Sequence, residues 1–288
     1  MVKYHPAAKA LYYILCLISA GVFCGIYFYR SSNGLIDPND SSSIPAAALL
    51  TAICVIISAV ISSVIAARSV KKELQILDEE CDPVKFTEKT SKEYKKACRL
   101  TFERRKPDVS GCTILLNHAV AESMNGEYDE AIDISRRLIA ADMKAPFIRP
   151  LAMLHTAVYL ASRGKDGDTA EAKKLVENAN SLIDSLSSKI PQATVKALSL
   201  ESSNAAFRIS IADGTDSADC VDFYTKQIDD AHSRRGRLYS RYMLACAYRT
   251  LGDIENERAQ LETLAADGTD KMKFMRDAAE RLAELRQR

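Results

Sequence analysis

Tryptophan is absent from the chain and phenylalanine is sparse, whereas Ala, Leu, Lys, Glu and Arg are abundant. That balance favours helix over sheet. A dominant charge is missing too: 39 Lys and Arg stand against 38 Asp and Glu, so no global field points to nucleic acid. Eight cysteines occur, three of them (Cys16, Cys24, Cys54) inside apolar stretches. The others, Cys81, Cys98, Cys112, Cys220 and Cys246, are scattered without a CxxC pair. Such a set suits a reducing compartment, where free cysteine behaves as a small buried hydrophobe.

The usual marks of chemistry are also missing. His5, His118, His155 and His232 are isolated, and His118 and His155 fall beside Ala and Leu, as packed side chains do. Cys112 and His118 do not share a helix face, which leaves a nucleophile–base pair unsupported. Asp166-Gly167-Asp168 and the run from Asp213 to Asp219 lack the DxDxDG series and the bidentate Glu of a calcium loop. They read as caps and turns. There is no Gly-rich phosphate loop, nucleophile elbow or zinc spacing. The expectation is a protein that is not an enzyme and carries no metal or cofactor.

What the chain does have is two long apolar stretches, Ala10 to Tyr29 and Ala46 to Ala67, free of Asp, Glu, Lys, Arg and His. Each is long enough for a hydrocarbon core, which needs roughly 20 apolar residues. Tyr12, Tyr13, Tyr27, Phe28 and Tyr29 mark the ends of the first stretch, where amphipathic rings sit at headgroup level. A cleaved signal peptide is the competing reading, but its apolar region runs to roughly 15 residues before small ones. Here the run is longer and ends in aromatics. Lys3 and Lys9 precede the first stretch, and Arg68, Lys71 and Lys72 follow the second. The positive-inside rule then places both termini in the cytoplasm and residues 30–45 outside. Gly21 and Gly25 form a GxxxG pair, and Ser58 and Ser62 repeat the spacing that lets membrane helices approach closely. These faces serve either packing within a hairpin or a homo-oligomer contact.

Residues 1–9 thus form an inner terminus, 10–29 and 46–68 two spans, and 69–108 a basic juxtamembrane segment. Asp82-Pro83 predicts a helix start. From Lys85 to Lys106 nine basic residues face three Glu. Lys85, Lys89, Lys92, Lys95, Lys96 and Arg99 are candidates for contact with anionic lipid, at ~1 kcal/mol for each basic residue near the surface. The alternative is a solvated face on a helix that packs through Val84, Tyr94, Ala97, Cys98 and Phe102.

Residues 109–288 read as helix pairs separated by Gly-acidic turns. Leu115, Leu116, Ala119, Val120 and Ser123 keep a helical period up to Gly126. Tyr128, Ala131, Ile132, Leu138 and Ile139 follow on the next helix. With Ala119 and Ala121 ahead of Gly126 and the run Glu127-Tyr128-Asp129-Glu130-Ala131 after it, this stretch resembles the tetratricopeptide repeat family. Gly167 to Ala172 echo the first turn. Ala245, Ala247 and Tyr248 precede Gly252-Asp253 in the same manner, but Glu257 stands where a small Ala is expected. Pairs are expected at 112–141, 150–188, 193–232 and 236–267, with a last helix at 270–287. ADGTD occurs at Ala212–Asp216 and Ala266–Asp270, each copy closing one helix and able to cap the next.

The apolar stretches and the resemblance together predict an all-α chain: a transmembrane hairpin, from the hydropathy, then an α-solenoid of divergent TPR-like pairs, as the resemblance implies. The resemblance also implies a concave face along the first helix of each pair. Leu116, Val120, Leu154 and Val158 would lie there, with Asn204, Arg208, Tyr242 and Arg249 as candidates for gripping a protein partner. The expected function is an interaction adaptor at the cytoplasmic face of the bilayer. The alternative is an assembly subunit that contacts a membrane complex through its spans.

Overall fold

The computed structural model describes residues 6–33, 43–103, 107–142, 145–215 and 218–287. Among them the chain is entirely helical, with twelve α-helices, one π turn and no strand. Lys3, loop residues 34–42 and Arg104–Lys106 lie outside the described residues. Two compact units divide the chain, Met1–Lys72 and Glu73–Arg288.

The first unit holds helix α1 (Pro6–Ser32) and most of α2 (Ser43–Asp78). Within α2, Ala52–Asp78 is long and apolar enough to cross a membrane by length and composition; its most apolar 18 residues have a mean hydropathy of 2.2 and only 17% of them are buried. The pattern is inverted relative to a soluble core helix. Ser58, Ser62 and Ala66, spaced every fourth residue, are buried, whereas Ile56, Ile57, Val60 and Ile61 are exposed. The apolar segment described in α1 is shorter, Ala8–Val22, and it too exposes Leu17, Ile18 and Val22.

The second unit begins in the last turns of α2 and continues through α3 (Pro83–Cys98), which the π turn Arg99–Glu103 extends. Then come α4 (Val109–Asn125), α5 (Tyr128–Ala140), α6 (Ile148–Arg163) and α7 (Asp168–Leu186). The series ends with α8 (Gln192–Ala212), α9 (Ala218–Asp229), α10 (Arg234–Leu251), α11 (Ile254–Asp267) and α12 (Lys273–Arg286). Local chemistry fixes the ends. Asp82, Asp108, Ser233 and Asp253 accept from a backbone N–H three residues on, satisfying donors at the starts of α3, α4, α10 and α11. Gly126 and Gly252 close α4 and α10 in the left-handed region. The second ADGTD copy closes α11 at Gly268, but α12 starts from Met272 without a side-chain cap. Asp216 of the first copy lies outside the described residues.

Helices α3 to α8 pack each on the next, as do α9 to α12. Helices α8 and α9 meet through Phe207 and Phe223, whose ring centroids are 4.8 Å apart. Alternate helices touch as well: α4 with α6, α6 with α8, α8 with α10, α10 with α12, and α12 again with α4. One apolar cluster secures that return, joining Ile76, Phe86, Met124, Leu264, Met275 and Leu282. Arg276 Nη2 donates to the Asn125 carbonyl at 3.0 Å across the same junction.

Candidate functional site

The inner helices enclose a cavity of about 440 Å³, within the range of small-molecule sites. Helical spacing builds its wall. Residues at i, i+3 or i+4, and i+7 share one face, and each inner helix donates such a row. Helix α4 gives Asn117, Val120, Ser123 and Met124; α6 gives His155, Val158, Tyr159 and Ser162. Helix α8 gives Glu201, Asn204 and Arg208; α10 gives Arg235, Tyr239 and Tyr242. Phe274 and Asp277 of α12, Tyr128 of α5 and Leu74 and Leu77 of α2 complete it.

Two of the charged groups are already neutralised. Arg235 Nε donates to Asp78 Oδ1 at 2.8 Å, and Asp277 pairs with Lys273. The other two are not. Arg208 donates from Nε and Nη2 to Ser162 Oγ at 3.2 and 3.1 Å and from Nη1 to Met243 Sδ at 2.7 Å, and the Ser162 hydroxyl donates a hydrogen bond to the Val158 carbonyl at 2.7 Å. Among the described residues no carboxylate pairs with Arg208, and Glu201 has neither hydrogen bond nor ion pair. The buried His155 Nδ1 and Tyr239 hydroxyl likewise lack a partner. Burial holds the His155 imidazole below its ordinary pKa; Glu201 opposes that shift and Arg235 reinforces it. Burial also pushes the Tyr239 and Tyr242 phenols up, so both stay protonated donors.

Of the residues expected on a concave face, Val120, Val158, Asn204, Arg208 and Tyr242 line the cavity together. Asn204 Oδ1 is engaged by the Tyr224 hydroxyl at 3.1 Å. Leu116 and Leu154 are in the core. Arg249 is exposed on α10, its Nη2 beside Cys246 Sγ, and does not line the cavity. His155, Glu201, Tyr159, Arg235 and Tyr239 were not among the expected residues. Glu201 was accessible to reasoning, since it continues the Asn204–Arg208 row by one turn. His155 was not: a lone histidine among Ala and Leu looks the same whether it faces core or cavity.

The remaining candidates lie elsewhere. Lys85, Lys89, Lys92, Lys95 and Arg99 are exposed along α3 and its π turn and Lys96 is half-buried, while Lys85 pairs with Glu80 at 2.6 Å. The opposite face packs through Phe86, Thr90 and Ala97, with Tyr94 stacked on His118 at 3.7 Å. A Cβ added at Gly21 or Gly25 would meet nothing within 4 Å. Cys112 is buried, and desolvation with Asp108 raises its thiol to about 11, leaving little thiolate at neutral pH. His118 Nε2 instead faces Glu122 at 3.2 Å. Against known proteins, no family model, curated protein or solved structure matches this chain.

Proposed function

We propose that the chain is a membrane-anchored helical-repeat protein that acts as an interaction adaptor through the inner face of its second unit. One observation carries the reading: the inner wall holds unpaired charges, an unpartnered imidazole and tyrosine hydroxyls where a purely structural interior would be apolar or satisfied. A TPR-type solenoid is supported by helix pairs with glycine turns and by contact between alternate helices. The outward Ile and Val residues of α2 and the outward apolar residues of α1 support two spans. The basic residues after the second span support termini in the cytoplasm, where the exposed α3 lysines would meet anionic lipid.

The adaptor reading is tested by affinity purification from detergent. A specific protein partner should co-purify with the chain and be lost on Arg208→Glu with Tyr242→Ala; undiminished recovery rejects the inner face. Reporter fusions at Asn39, outside the described residues, and at the C-terminus should report opposite sides of the membrane.

A second reading, an assembly subunit acting through its spans, draws on the open space at Gly21 and Gly25. If Gly21→Leu with Gly25→Leu leaves every membrane co-purifying protein in place, that reading fails.

A further inference from the structure

The cavity contains one cation and one anion that the protein does not itself pair, Arg208 and Glu201. They are seven residues apart on α8, two turns and therefore about 10.5 Å of axial rise on one face. Ser162 accepts from two of the Arg208 nitrogens and Met243 Sδ, a weak acceptor, faces the third at 2.7 Å, so the guanidinium is fixed in place with its charge unmatched by any carboxylate among the described residues. At the other end, Glu201 lines the same cavity as His155 and Tyr159, and its charge acts on both side chains. The rings of Tyr239, Tyr242 and Phe274 line the same cavity, with Tyr242 and Phe274 centroids 5.5 Å apart. Both charged residues are half-buried, and the two opposite charges arise two turns apart on one face of α8.

We propose that the cavity binds a small zwitterion, a free peptide of two or three residues, with its carboxylate on Arg208 and its ammonium on Glu201. Length, volume and chemistry agree on this class. An extended chain advances about 3.3–3.6 Å per residue, so three residues span about 10 Å. A site of about 440 Å³ suits a ligand of that size. The aromatic wall of Tyr239, Tyr242 and Phe274 covers the peptide's side chains. The assignment rests on the inner face being the recognition surface. It goes further in making the cavity's own occupant a small effector rather than a folded partner.

The test uses the full chain in detergent and four forms of trialanine: free, N-acetylated, C-amidated and blocked at both ends, each titrated calorimetrically, with inorganic phosphate as a fifth ligand. Free trialanine should bind, and blocking either terminus should weaken binding about tenfold or more, the usual effect of losing a charge-assisted contact. Glu201→Gln should erase the discrimination against the acetylated form alone. Arg208→Gln should erase that against the amidated form. Equal binding of the doubly blocked peptide, equal binding of phosphate, or no binding of any peptide overturns the proposal. The ligand forms are compared on the wild-type chain, so the result does not depend on a variant that fails to fold. A protein partner that survives Arg208→Gln while peptide binding is lost would reject the adaptor's use of this face and leave the peptide site standing.

Discussion

Glu257 of α11 is 2% exposed and receives Nε and Nη2 of Arg281 from α12 at 2.8 and 3.1 Å. The carboxylate that interrupts the repeat pattern is thus the anchor of the last helix. A buried ion of this kind is costly to expose singly and cheap to replace as a pair.

Arg281→Ala should therefore destabilise the second unit by about 3 kcal/mol by leaving the carboxylate unpaired. Thermal unfolding of the detergent-solubilised chain should show a fall of roughly 6–12 °C. The double change Glu257→Leu with Arg281→Leu should recover at least half of that loss. If the double variant is worse than Arg281→Ala alone, the pair contributes more than mutual neutralisation.

The turn glycines should separate by geometry. Gly126 has φ 102° and ψ 1°, away from the left-handed minimum, while Gly164 at φ 67° and ψ 29° is near it. Gly126→Ala should cost about 1–2 kcal/mol, whereas Gly164→Asn should cost under about 1 kcal/mol, because asparagine tolerates that region. A Cβ at Gly126 also meets the flexible Lys273 stem at 3.4 Å, so strain rather than space dominates. Matching melting curves for the two variants would contradict this ranking.

Stability should fall on mild acidification. The folded His155 pKa is depressed, first by burial and then by Arg235, with Glu201 opposing; the Tyr159 ring, centroid 6.0 Å away, also faces it. The unfolded chain takes up its proton near pH 6.5. Below that value the unfolded state binds more protons, so stability declines as pH falls toward the folded pKa and is unaffected above it. Melting temperatures at pH 7.5, 6.5 and 5.5 should trace this decline, and His155→Gln should flatten it. An unchanged slope in that variant would assign the effect to other groups.

The all-helical character and the turn glycines were legible in the sequence because period and left-handed conformation are local properties. The buried Glu257 was legible only as an anomaly, since its partner lies 24 residues away on another helix. Arg208, Asn204 and Tyr242, chosen from the expected repeat register, line the cavity, whereas Arg249, chosen the same way, does not. Arg249 shares a face with Tyr242 but stands two turns, about 10.5 Å, further along α10. The neutralisation of Arg235 by Asp78, 157 residues earlier, had no sequence signal.

The contact of α12 with α4 carries a consequence for how such a chain can change. In an open stack each pair depends only on its neighbours, and pairs can be gained or lost at little cost. Here residues 76–86 share one apolar cluster with residues 272–285, so removing a middle pair would leave the two ends unable to meet. Within the second unit, α12 is tied to α4 as well as to its neighbours, so that unit should unfold cooperatively rather than fray from α12.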